Sequence, residues 1–335
     1  MNNTTKRVLS GIQPTNEMHF GNYFGAVANW VDLQEKYDCL FCVVDLHAIT
    51  TSYDPKELRK NSKNMFVDIL ACGIDPEKST LFIQSMVPEH TELTWYLNCV
   101  TSYGQLSRMT QFKDKSEVIN QQSKEKFVSA GLFTYPILQA ADILIYKANY
   151  VPVGRDQKQH LELTRNIADR FNNQFGKYFP LPEPLFTKTS KILSLADPSK
   201  KMSKSLGPKH FVGLFEDENK IRKKVRSAVT DIGNIENNKM SQGVEGLFEI
   251  LKACNKTEIV KSLIADYDSG QLKYKELKDN VSDALVELSN KFKERKKEIL
   301  SDENKVKELM IKGSEKARVI AKKTIEEVKQ LNGLA

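Results

Sequence analysis

The stretch Arg7-Val8-Leu9-Ser10-Gly11-Ile12-Gln13-Pro14-Thr15-Asn16-Glu17-Met18-His19-Phe20-Gly21-Asn22 decides the fold. It opens with a short strand, Arg7 to Ser10, passes through a loop and enters an amphipathic stretch from Gly21 to Lys36. The same alternation repeats downstream. Leu40 to Val44 is a second apolar run, Asp54-Pro55 supplies a helix N-cap and first position, and Gly73 closes that helix just after Cys72. Thr80 to Ile83 is a third strand, followed by a helical pattern from Glu89 to Tyr103. Alternation of this kind predicts an α/β fold, a doubly wound parallel sheet with helices on both faces. Ligands in such folds bind beyond the carboxyl ends of the strands, the places held by Ser10 to Asn22 and Asp45 to Thr50.

Past about Pro208 the strand-like runs give way to Lys- and Glu-rich helical periodicity. Ile221, Val225, Ala228 and Val229 fall at i, i+4, i+7 and i+8, one face of a helix, with Arg222, Lys223, Lys224 and Arg226 opposite. Further helices fit Val281 to Lys297 and Val306 to Leu331, so the second half reads as a helical domain. Ser116 to Lys126 reads as a loop. The basic runs at 220–226 and 291–297 admit two explanations, a polyanion partner or a solvated helix face.

The chain has 335 residues, 40% hydrophobic and 28% charged, with a formal net charge of +7. This is ordinary globular composition, long enough for two domains. No apolar run reaches the roughly 18 residues of a membrane span. The residues around Val8-Leu9 are too few for a signal-peptide core, so a cytoplasmic protein without membrane association is expected. Cys39 and Cys42 form a lone CxxC within an apolar run that reads as a strand. Residues three apart on a strand point to opposite faces, so the two thiols cannot share a metal. With Cys72, Cys99 and Cys254 scattered, the cysteines are expected in the structural core, and no protein-ligated metal site is predicted.

Two short strings carry chemistry. His19-Phe20-Gly21-Asn22 stands at the start of the first long helix, where orphan N–H groups and the positive end of the dipole suit a phosphate. His19 and Asn22, three residues apart, can face one triphosphate, and Gly21 lets a base or ribose approach the backbone. A simple capped helix is the alternative. Lys201-Met202-Ser203-Lys204-Ser205 sits among Pro, Ser and Gly and reads as a mobile loop. Its two ammonium groups would offset charge growing on a departing pyrophosphate. A lysine-rich surface loop is the plain alternative.

Together these strings resemble the paired signatures of the class I aminoacyl-tRNA synthetases. Asn22, where the usual first signature ends in histidine, is a variation typical of the tryptophan branch. The resemblance runs through nearly the whole chain and points to the bacterial tryptophanyl-tRNA synthetases. It is carried by Ser10 to Thr15, Gly21 to Ala26, Asp45 to Thr50, Met109 to Lys113, Ala140 to Leu144 and Val151 to Gln157. It implies a Rossmann-like catalytic domain over 1–199, a mobile loop at 200–207 and a helical anticodon-binding domain over 208–311. A C-terminal helix, about 312–335, would pack back on the first domain. It also implies a homodimer and a tRNA partner.

As a helix, Thr134 to Tyr146 places Tyr135, Gln139 and Asp142 on one face. A carboxylate in the apolar string Ala140 to Leu144 is costly without a donor, and an indole N–H is a donor only. Pairing with Lys147 or capping a neighbouring element is the structural alternative for Asp142. The resemblance implies that Asp142 accepts the indole N–H of tryptophan, with Tyr135, His47 and Gln157 binding the rest and Val151 and Val153 walling the ring. Gln139 fits a tyrosine-specific relative, where glutamine is frequent. Leu9 opposes that alternative: the resemblance implies that bacterial tyrosine-specific relatives hold there a tyrosine that grips the phenol, and an apolar Leu9 would leave the hydroxyl short of a partner, a loss of about 1–3 kcal/mol.

The implied reaction is attack by the tryptophan carboxylate on the α-phosphorus of ATP, then transfer to tRNA. A carboxylate is already ionised at neutral pH, so positioning and electrostatics would supply catalysis. His19, Asn22, Lys201 and Lys204 are the expected catalytic groups. Gln13, Pro14, Thr15, Gly21, Gly154, Arg155, Asp156, Ile192, Met202, Ser203 and Ser205 complete the expected ATP site, and Mg²⁺ shares the phosphate charge.

Overall fold

The computed structural model describes residues 6–15, 17–122, 127–152, 154, 158–186, 192–230 and 240–334. Its centre is a five-stranded sheet in the order β3-β2-β1-β4-β5, every pair parallel. The strands are β1 (Arg7–Ile12), β2 (Asp38–Val43), β3 (Thr80–Ile83), β4 (Tyr150–Pro152) and β5 (Glu183–Leu185). The chain builds outward from β1 to β3, then crosses to the other side of β1 for β4 and β5. That reversal opens a crevice at the carboxyl ends of β1 and β4.

Both sheet faces are covered, and the two cores divide along the strand pleat. Val8, Cys39, Phe41 and Val43 join one core, while Leu9, Leu40 and Cys42 join the other. Cys39 and Cys42 thus do face opposite ways, both buried, while Cys72 is buried too. Cys99 departs from the expected core burial: it lies on the outer side of its helix and is exposed.

On the first face, α1 (Phe20–Asn22) continues through a π turn, Tyr23–Val27, into α2 (Ala28–Leu33), where Trp30 stacks on Phe41 with centroids 4.7 Å apart. After β2 come α3 (Asp45–Ala48) and α4 (Pro55–Ala71). Asp54 caps α4 by accepting from the N–H groups of Lys56 and Glu57, and Gly73, at φ 113°, lets the chain leave beyond it. The opposite face is covered by α5 (Glu89–Val100), α8 (Ala130–Leu144) and α9 (Lys158–Phe175). Between them lie α6 (Tyr103–Ser107) and α7 (Thr110–Gln122). The segment read as a loop from Ser116 is therefore helical to Gln122, since no glycine or proline interrupts α7. Residues 123–126 lie outside the described residues.

The second half is helical: α10 (Glu218–Arg226), α11 (Gln242–Ala253), α12 (Thr257–Asp268), α13 (Tyr274–Leu300) and α14 (Glu303–Leu331). Ile221 and Val225 bury one face of α10, in a core continuous with Met18, Phe24 and Trp30. Arg222 pairs with Asp283 of α13 at 2.6 Å, and Lys296 of α13 reaches the buried Asp68 of α4 at 2.5 Å. The basic runs therefore fasten helices as well as facing solvent. Finally α14 returns to the sheet half beside β3. Gly313 is required there, because a Cβ would lie 1.9 Å from the Leu81 carbonyl oxygen. Ala317, Ala321 and Ile325 bury behind it, and Lys147 pairs with Glu327 at 2.9 Å.

Candidate active site

A cavity of about 480 Å³ opens in the crevice beyond β1 and β4. Leu9 and Gln13 from β1 and its loop, His47 from α3, and Val151 from β4 line it, together with Tyr135, Gln139 and Asp142 from α8. The helical spacing read from the sequence thus places all three α8 side chains on the cavity. Ser129 caps α8 by accepting from the Leu132 N–H at 3.1 Å. Asn22 and Lys201, one from each ATP motif, line the same cavity.

Asp142 is 4% exposed and holds three donors. His47 Nε2 lies 2.8 Å from Oδ2, while His90 Nδ1 and Gln84 Nε2 lie 2.6 and 2.7 Å from Oδ1. Burial alone would raise its pKa, but the hydrogen bonds and charge of His47 and His90 outweigh it and bring it to about 2. The alternative pairing with Lys147 is not what forms, since that ammonium meets Glu327. The Tyr135 hydroxyl meets Gln111 Oε1 at 3.2 Å and His160 Nε2 at 2.9 Å, and burial raises its pKa to about 12.

The first motif folds as a reciprocal cap. His19 Nδ1 accepts from the Asn22 N–H at 3.2 Å, and Asn22 Oδ1 accepts from the His19 N–H at 3.3 Å. Accepting at Nδ1 puts the ring proton of neutral His19 on Nε2. Burial, then Lys204 and Lys201, lower its pKa to about 4, so the ring is neutral near pH 7. Gly21 leaves no room for a side chain: a Cβ there would meet the His19 ring at 2.9 Å and Met202 Cβ at 3.1 Å.

The second motif lies against the first. Met202 is buried and its N–H donates to the Ile192 carbonyl at 2.9 Å. Ser203 caps a short turn by accepting from the Ser205 N–H. Lys204 donates to the carbonyls of Thr15, at 2.7 Å, and Glu17. Burial lowers its pKa to about 8. Pro14 is buried, while Gln13, Thr15 and Gly154 are exposed. Val153, Arg155, Asp156 and Gln157 lie outside the described residues.

Residues 1–290 match the family of tRNA synthetases class I (W and Y). The chain belongs to this family. The tryptophan–tRNA ligase of Clostridium perfringens is 46% identical over 100% of this chain and 99% of its own length. The crystal structure of tryptophanyl-tRNA synthetase from Mycoplasma pneumoniae superposes with a TM-score of 0.87 at 34% identity, covering 99% of both chains. That of Campylobacter jejuni, complexed with ADP and tryptophan, gives 0.83 at 36% identity over 98% of this chain and 100% of that one.

An accept-only carboxylate stands on the α8 wall of the cavity, and Asn22 and Lys201 supply donors on it. Gln84, His90, Tyr146 and His160 escaped the reading of the sequence. A polar residue at the carboxyl end of a strand, as Gln84 is after β3, was a usable signal. His90 and Tyr146 carry none locally.

Proposed function

We propose that this synthetase attaches L-tryptophan to its tRNA through a tryptophanyl-adenylate, releasing pyrophosphate and AMP. The observation that carries this reading is one cavity lined both by the ionised Asp142 and by Asn22 and Lys201 of the ATP motifs. Asp142 accepts the indole N–H, and Leu9 and Val151, both buried, flank the ring. Gln139 also lines the cavity and would suit a phenol, but Leu9 offers a phenol hydroxyl nothing to bond. The full-length tryptophan-named relatives support the same choice.

Activation needs no general base, because the attacking tryptophan carboxylate is ionised. With its Oδ1 committed to the His19 N–H, Asn22 keeps its amide N–H groups for a phosphate oxygen, and neutral His19 keeps Nε2–H. Lys201 and Lys204 neutralise the departing pyrophosphate. Among the described residues no group of three or more His, Cys, Asp or Glu side chains could hold a metal. Mg²⁺ enters with ATP as part of the substrate, its ligands the phosphate oxygens. Gly154, Arg155, Asp156, Gln157 and Val153 complete the ATP and tryptophan sites.

The division into a catalytic domain over 1–199, a lysine loop at 200–207 and an anticodon-binding domain over 208–311, with the last helix returning, forms part of this reading. Lys220, Lys223, Lys291 and Lys297 are exposed and suit a phosphate backbone; Arg222, Lys224 and Lys296 are engaged within the chain. The protein acts as a homodimer in the cytoplasm, in keeping with a role in translation. No helix among the described residues is long and apolar enough to cross a membrane. Charging of bacterial tRNA with labelled tryptophan tests the reading; charging with tyrosine instead would replace it.

A further inference from the structure

Behind the cavity wall lies a second layer of polar groups that the reaction itself does not use. Gln84, His90 and Tyr146 are all fully buried, and none lines the cavity. His90 Nδ1 and Gln84 Nε2 both meet Asp142 Oδ1, and His90 Nε2 meets the Tyr146 hydroxyl at 2.7 Å. An ionised carboxylate only accepts, so His90 donates to it from Nδ1, while its Nε2 shares a hydrogen bond with the Tyr146 hydroxyl. Gln84 has its orientation fixed at the other end, where Oε1 accepts from the Leu46 N–H at 3.1 Å. That bond also ties the network to α3, which carries His47.

We propose that Gln84, His90 and Tyr146 form a buried positioning network that pins the Asp142 carboxylate and so sets preference for an amino acid with an N–H donor on its ring. Oδ1 is fully committed to the rear layer. Oδ2 takes His47 and keeps an acceptor position for the cavity, since a carboxylate offers about four such sites. Held at three points, the carboxylate keeps that acceptor position fixed. The ligand's N–H is thus matched by a pre-set acceptor, and a ring without it leaves that acceptor unpaired. This inference rests on tryptophan being the substrate.

The test measures tryptophan-dependent ATP–pyrophosphate exchange in the whole enzyme, with 3-benzothienylalanine, whose sulfur replaces the N–H, as a competing ligand. His90→Leu is expected to raise the tryptophan KM about tenfold. It should leave the ATP KM and the inhibition constant of the analogue within about twofold. Tyr146→Phe, which removes one hydroxyl, should move the tryptophan KM the same way by a few-fold, and His90→Gln, which keeps a donor, should recover part of the loss. If His90→Leu does not fold, Tyr146→Phe decides. Tryptophan and analogue shifting together, or neither shifting, overturns the positioning role and leaves the substrate reading intact. A wild-type enzyme inert with tryptophan removes the substrate reading and this inference with it.

Discussion

The Lys204 ammonium donates to the main-chain carbonyl of Thr15 at 2.7 Å, joining segments 189 positions apart in sequence. The bond sets the lysine motif directly on the loop that leads into the histidine motif. Antiparallel pairing of His19 with Gly213, and the Phe20 N–H donating to the Val212 carbonyl at 3.0 Å, reinforce the junction from the start of the helical half. The two motifs therefore form one cluster.

Because burial lowers the Lys204 pKa to about 8, this ammonium loses its proton in mildly alkaline solution. The profile of kcat/KM for ATP, which reports the free enzyme, should fall as pH rises through about 8. Bound phosphates favour the charged form, so kcat should hold to higher pH. Lys204→Arg should flatten the fall in kcat/KM, and an unchanged alkaline limb in that variant would count against the assignment.

His19 makes stability depend on acid. Its pKa is about 4 folded against 6.5 unfolded, so between those values only the unfolded chain takes up the proton. Stability present above pH 6.5 is thus lost as pH falls towards 4, by on the order of 3 kcal/mol. Urea midpoints followed over this window should decline, and His19→Asn should remove much of the slope.

Asp142→Ala should harm folding as well as substrate choice. Binding loses its acceptor, and His47, His90 and Gln84 lose a shared partner. A cost of about 3 kcal/mol in urea unfolding is expected, because buried donors are left unsatisfied. The tryptophan KM should rise by about 100-fold or more. An unfolding midpoint equal to wild type would show that the network carries no stability.

Gly313→Ala tests the close approach of α14 to β3. With the new Cβ 1.9 Å from the Leu81 carbonyl, the helix has to move outward. Unfolding should become easier by about 2–3 kcal/mol. A change below about 0.5 kcal/mol would mean that α14 sits elsewhere.

The first three strands were legible from apolar residues buried on both faces, only Val8 and Leu9 in the first, with helix caps between them. The last two were not. Tyr150–Pro152 and Glu183–Leu185 are three residues each, and both carry a proline. Pro184 is tolerated because β5 is an edge strand with one neighbour. In the site, Asp142 stood out as a carboxylate in an apolar helix, but its partners lie 52, 58 and 95 positions away and emerge only when the chain is folded. Gly21 was legible as a place of close approach to the backbone, yet the Met202 side chain that crowds it together with the His19 ring comes from the other motif.

Amino-acid-dependent ATP–pyrophosphate exchange, run in parallel with tryptophan and tyrosine, tests the central claim most directly. Exchange should proceed with tryptophan and be lower with tyrosine by about 10⁴-fold or more, since Asp142 is placed to accept an indole N–H and the apolar Leu9 offers a phenol hydroxyl no partner, which outweighs Gln139. Exchange driven by tyrosine, or by neither amino acid, would contradict it.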